Sequence, residues 1–146
     1  MSQGQDLQRQ DPQRTDLELQ FDRSDRRYEP GAGLTVRYRI LAPGEEQIRA
    51  IEHSIAWYTE GKGEEDLGVH FFERLADRKS LAAVRSGLSF SAQLPPSPLS
   101  YEGLIVKIRW CARVRIFFSG GRDFVSEHVF DLGAIPPAWQ PQEAAS

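Results

Sequence analysis

The chain of 146 residues has a single cysteine, Cys111, which excludes an internal disulfide and a structural zinc site built from several thiolates. Lysine is almost as scarce. Of 18 basic residues only Lys62, Lys79 and Lys107 are lysines, the rest are arginine, and 21 acids outweigh them all. With no overall basic excess, a nucleic-acid partner is not expected. No apolar run reaches the about 18 residues of a membrane-spanning helix, and the Gln- and Asp-rich N-terminus has no apolar core of a secretory signal. The expectation is a soluble, cytoplasmic domain. His53, His70 and His128 are the only histidines, none at the i, i+4 spacing of a helical metal motif, so neither a metal nor a cofactor is expected.

What the chain does have is length for one core and an alternation of period two. Residues 1–15 contain only Met1 and Leu7 as apolar side chains, too few to offset the entropy of ordering them, and are expected as a disordered lead-in. Residues 136–146 are expected as a second, flexible tail, leaving a folded body at 16–135. Within it residues 104–118 alternate most clearly. Leu104, Val106, Ile108, Trp110, Ala112, Val114, Ile116 and Phe118 fall on one side, and Lys107, Arg109, Cys111, Arg113 and Arg115 on the other. Weaker copies run through Leu17–Leu19–Phe21, Val36–Tyr38–Ile40, Ile51–His53–Ile55–Trp57, Val69–Phe71–Leu75, Leu88–Phe90–Ala92–Leu94 and residues 124–132. Gly/Pro punctuation separates them, with Ser119-Gly-Gly-Arg122 a hairpin signal and residues 79–85 a helical turn. Seven such strands describe an all-β, antiparallel β-sandwich.

The stretch 90–103, FSAQLPPSPLSYEG, running into Val106-Lys-Ile-Arg-Trp110, resembles the arrestin-like sandwich, an immunoglobulin-like fold. There a strand ends in a Pro-rich bend, here Pro95, Pro96 and Pro98. A turn of small, aromatic, acidic and glycine residues, here Ser100, Tyr101, Glu102 and Gly103, then leads into a long strand. The hairpin from Ile55 to Gly63 is similar to the family's strand pair with a solvent loop. The resemblance covers residues 16–133 and implies a non-enzymatic protein-interaction scaffold. Members of the family normally carry two such sandwiches, and this length holds one, so no inter-domain charge core is carried over. Pro136-Pro-Ala-Trp139 half resembles a Pro-Pro-x-Tyr recruitment element, with Trp in the place of Tyr.

The cations are the candidate binding residues. Lys107, Arg109, Arg113 and Arg115 share one strand face, and Arg37 and Arg39 another. Were the two strands adjacent, their guanidinium groups would form a positive field for phosphate, carboxylate or anionic headgroups. The competing expectation is cross-strand pairing with Glu18, Glu52, Glu73 or Glu127. No catalytic residue is expected. Cys111 has no assigned base, Gly120-Gly121 precedes a strand where a phosphate loop needs a helix, and Glu64-Glu-Asp66 lacks calcium-loop spacing. The expected partner is another protein, bound by a strand edge or the Arg-bearing face, with a homodimer and a monomer both compatible. Two alternatives belong to other classes: a carbohydrate-type module using Trp57, Tyr58, Trp110 and Trp139, and an adaptor holding its Arg face to an anionic membrane surface.

Overall fold

Alternating side chains become one buried and one open face wherever strands pair, and the computed structural model, which describes residues 15–41 and 47–133, shows nine strands and one short helix among them. They are β1 (Leu17–Phe21), β2 (Arg27–Tyr28), β3 (Gly33–Ile40), β4 (Ile48–Gly61), β5 (Leu67–Leu75), α1 (Arg78–Ala83), β6 (Leu88–Gln93), β7 (Tyr101–Glu102), β8 (Val106–Phe118) and β9 (Asp123–Leu132). One sheet has three strands in the order β1-β3-β6. The other has six, in the order β2-β9-β8-β4-β5 with β7 also on β8. All pairings are antiparallel except the two-residue contact of β2 with β9. Both expected tails, Trp139 and the Pro43-Gly44 turn lie outside the described residues, apart from Thr15.

The core lies between the sheets. β3 sends Leu34, Val36, Tyr38 and Ile40 inward, meeting Ile51 and Ile55 of β4, Trp110, Ala112, Val114, Ile116 and Phe118 of β8, and Phe130 and Leu132 of β9. Each large aliphatic or aromatic side chain so buried contributes about 1.5–3 kcal/mol. Trp110 is fully buried and donates its indole N–H to the Pro98 carbonyl at 2.7 Å, which satisfies its one polar atom and ties the Pro-rich bend to the core. Ser100 holds the same bend from the other side, its hydroxyl accepting the Leu132 amide at 2.9 Å.

Four local features depart from the sequence expectation. The long strand begins at Val106 because Gly103 donates its amide to the Val106 carbonyl and closes a turn, leaving Leu104 and Ile105 outside the strand and exposed. Val69 and Phe71 do not share a face. A β-bulge opposite Ile55 and Ala56 puts one extra residue, His70, into β5 and reverses the parity on either side of it. The helical turn expected at 79–85 is α1, starting one residue earlier where Asp77 accepts the Ser80 amide at 2.9 Å as N-cap. β2 and β7 are too short to show alternation. The expected hairpin at 119–122 is present, with Gly121 at φ +97° donating to the Phe118 carbonyl.

Candidate functional site

The outward side of the six-stranded sheet is ordered by register. Reading from β5 across β4 and β8 to β9, one row is Arg74–Glu52–Arg115–Val125 and the next Phe72–Ser54–Arg113–Glu127. The third is Val69–Ala56–Cys111–Val129, and the fourth Leu67–Tyr58–Arg109. Glu60 and Lys107 close the array, with Glu102 of β7 beside Lys107. The third row is apolar across four strands. Ala56 and Cys111, its two short side chains, are buried without belonging to the inter-sheet core, because longer neighbours surround them. The ends and flanks are open: Leu67, Val69, Phe72, Val125 and Val129 are between 38% and 64% exposed.

Charged pairs frame this apolar centre. Arg109 reaches Glu60 at 2.9 Å and Glu102 at 2.9 Å, and Lys107 lies 3.6 Å from Glu102. Arg115 is paired to Asp123 at 2.6 Å and Arg74 to Glu52 at 2.6 Å. Arg113 Nε lies 3.4 Å from Glu127, close enough for attraction but without hydrogen-bond geometry. Exposed pairs of this kind contribute about 0–1 kcal/mol each and are screened by salt. Their larger effect is on charge: the five bases and five acids joined here cancel.

The two cation groups expected from the sequence are separated by the topology. Lys107, Arg109, Arg113 and Arg115 project from β8, whereas Arg37 and Arg39 project from β3 in the other sheet. β3 pairs with β1 and β6 and never with β8, so the two groups form no common field. Arg39 is paired to Glu18 at 2.8 Å across the β1–β3 ladder, one of the acidic partners expected for it. Arg37 stands between Gln20 and Ser89 in a shallow depression shared with Ser86 and Gly87.

The histidines have separate partners. His53 is 1% exposed between the sheets, its Nδ1 2.7 Å from the Tyr38 hydroxyl and its Nε2 2.7 Å from Glu73 Oε1. Its ring stacks on Phe90 with centroids 4.1 Å apart. Burial pushes the His53 pKa down, against the pull of Glu73. His70 Nε2 meets the Gln93 carbonyl, and His128 meets the Ser126 hydroxyl. Among the described residues no three His, Cys, Asp or Glu side chains converge on a metal-sized site. Burial drives the Cys111 thiol up to about 12, with Glu127 adding to the effect and Arg113 opposing it, so it is not an activated nucleophile. A depression beside β2 is lined by groups bonded to one another: Tyr28 donates to Asp22 at 2.6 Å and Asp25 accepts the Arg27 amide. An aromatic platform is not formed by Trp57 and Trp110, since Trp110 is fully buried and Trp57 packs against the core.

The apolar flank of the face was absent from the sequence reading. Val125 and Val129 alternate with Phe124 and Phe130, so β9 is apolar on both sides, and that double apolarity was the available signal. Leu67 and Val69 were hidden by the bulge, which makes strict alternation assign Val69 to the core.

Two packed, mainly antiparallel sheets of this kind define an all-β sandwich. The sandwich is similar to that of Spo0M, a sporulation control protein of Bacillus subtilis, with a TM-score of 0.57 at 14% identity over 82% of this chain and 49% of that one. The chain therefore spans about half the length of Spo0M. Superoxide reductase (neelaredoxin) of Ignicoccus hospitalis superposes with a TM-score of 0.46 at 11% identity over 79% of each chain. No family model and no curated protein matches the sequence. Among the described residues no helix is long and apolar enough to cross a membrane.

Proposed function

We propose that this sandwich is a non-enzymatic protein-interaction module whose docking surface is the outward face of the six-stranded sheet. One observation carries the reading: the apolar row Val69–Ala56–Cys111–Val129, flanked by exposed Leu67, Phe72 and Val125, is enclosed by paired charges. An apolar centre with a polar rim is the layout of a protein interface, and clustered exposed apolar side chains mark such surfaces. The arrestin-like resemblance points to the same class of role. A bilayer is the weaker partner, because the bases of this face are neutralised by acids and leave little field for anionic headgroups. Val69→Lys with Val129→Lys tests the reading. Both positions are exposed, so the fold is retained, and the doubly substituted protein loses a protein partner that co-purifies with wild type. Unchanged partner recovery would refute it.

A further inference from the structure

The distribution of charge on this face carries one step more, resting on the docking reading above and naming the occupant. We propose that the partner is a second copy of this chain, packed sheet on sheet about a two-fold axis running along the boundary between β4 and β8.

The outward side chains of β4 are Glu52, Ser54, Ala56, Tyr58 and Glu60, and their register partners on β8 are Arg115, Arg113, Cys111, Arg109 and Lys107. Within these two columns the acids stand on β4 and the bases on β8; the other charged members of the face lie outside them, Arg74 on β5 and Glu102, Asp123 and Glu127 on β7 and β9. Rotation by a half-turn about an axis along the strands exchanges the columns and keeps the rows, so β4 of each copy lies over β8 of the other. Glu52 then faces Arg115, Glu60 faces Lys107, and Tyr58 offers its ring to Arg109. In the next columns out, Val69 of β5 comes over Val129 of β9, and Arg74 over Val125, with Phe72 reaching between Val125 and Glu127.

A two-fold axis running across the strands would instead lay β8 on β8, with four cations against four, which is electrostatically unfavourable. The column pattern thus selects one axis. The centre of the contact is Ala56 against Cys111, short and already buried, so nothing there holds the sheets apart at their usual spacing of about 10 Å. Packed sheets cross at about 30°, which displaces mainly the outer rows, where the long Arg, Lys and Glu side chains have the reach to follow. Self-repulsion of the face is small, because its ion-paired bases and acids are equal in number and Arg49, over the Phe117 ring at one end, is the further base beside them.

Sedimentation equilibrium over a wide concentration range tests this. The expected wild-type mass is twice 16.5 kDa. Val129→Lys, a single change at an exposed position, is expected to weaken the dimer by about tenfold or more. Two charge variants give the sharper result. Glu52→Arg with Glu60→Arg sets like charge against Arg115 and Lys107 of the other copy, and Lys107→Glu with Arg115→Glu sets like charge against Glu52 and Glu60. Each is expected to be monomeric alone at a concentration where wild type is dimeric, and an equimolar mixture is expected to regain the dimer mass. Circular dichroism establishes that each variant is folded. A wild-type mass that stays at 16.5 kDa throughout overturns the proposal, as does a dimer that Val129→Lys leaves intact or a mixture that stays monomeric. If wild type is monomeric yet a different protein binds it and not the Val69→Lys, Val129→Lys protein, the second copy is refuted as occupant while the docking reading stands.

Discussion

Tyr38→Phe removes one oxygen from a chain of three side chains that joins the two sheets through the core. Tyr38 comes from β3 of the small sheet, His53 from β4 and Glu73 from β5 of the large one. Glu73 is half exposed and its carboxylate only accepts, so His53 Nε2 carries the proton and Nδ1 is left to accept from the Tyr38 hydroxyl. Each buried polar atom is thereby satisfied. Phenylalanine keeps the ring and its packing against His53 and Phe90 but leaves Nδ1 buried with no donor. With His53 at 1% exposure, water cannot replace that donor, and the expected loss is about 1–3 kcal/mol. The loss is a large part of the 5–15 kcal/mol or so that holds a domain together. Urea unfolding at about pH 7, followed by far-ultraviolet circular dichroism, measures it. His53→Leu tests the coupling. Alone it orphans the Tyr38 hydroxyl, but combined with Tyr38→Phe it removes both partners, so the double variant is expected to be more stable than the sum of the single losses predicts, by about 1–2 kcal/mol. A Tyr38→Phe protein within about 0.5 kcal/mol of wild type, or strict additivity of the two changes, would show that the hydroxyl does not satisfy the ring.

Stability is expected to fall as the pH falls below about 6.5. Burial holds His53 and His128 below the ordinary imidazole value, so the unfolded chain takes up protons first, and their contribution is complete above the unfolded pKa and lost through the folded one. Unfolding free energies measured from about pH 7.5 to 5.5 check this, His53→Leu removes part of the slope, and a flat wild-type profile would contradict it. Gly61→Ala is expected to destabilise the β4–β5 hairpin by about 1–3 kcal/mol, because Gly61 has φ +139° and a Cβ there meets the Ile105 carbonyl oxygen; a thermal melt reads the loss. Cys111 is expected to label with a thiol-specific chromogenic disulfide at least about a hundredfold more slowly in the native protein than in urea, being 2% exposed with its thiol up to about 12. Equal rates would place the thiol at the surface.

The difference between what the residues foretold and what they did not follows the range of the interactions concerned. β3 and β8 were legible because one side of each meets the core and the other meets water, so their alternation is sharp enough to survive without knowledge of any partner. His53 already stood among Ile51, Ile55 and Trp57 on an inward-facing side, but the hydroxyl and carboxylate that make such burial tolerable come from strands 15 and 20 residues away in sequence. The bulge at His70 left only a weak local mark, Gly68 two residues earlier in the strand, which does not say which residue is the extra one, yet the bulge decides whether Val69 faces the core or the solvent. The cation stripe shows the same limit at the scale of a face. Its four members on β8 could be named from spacing alone. That β4 stands beside them with Glu52 and Glu60 in matching rows, while Arg37 and Arg39 belong to the opposite sheet, depends on strand order, which alternation does not encode. A single strand therefore looked like a positive surface when its bases stand between acids of β4 on one side and acids of β7 and β9 on the other. Charge on a β-sheet belongs to the register rather than to the strand, and it is the register here that favours a self-complementary face over one built to capture anions.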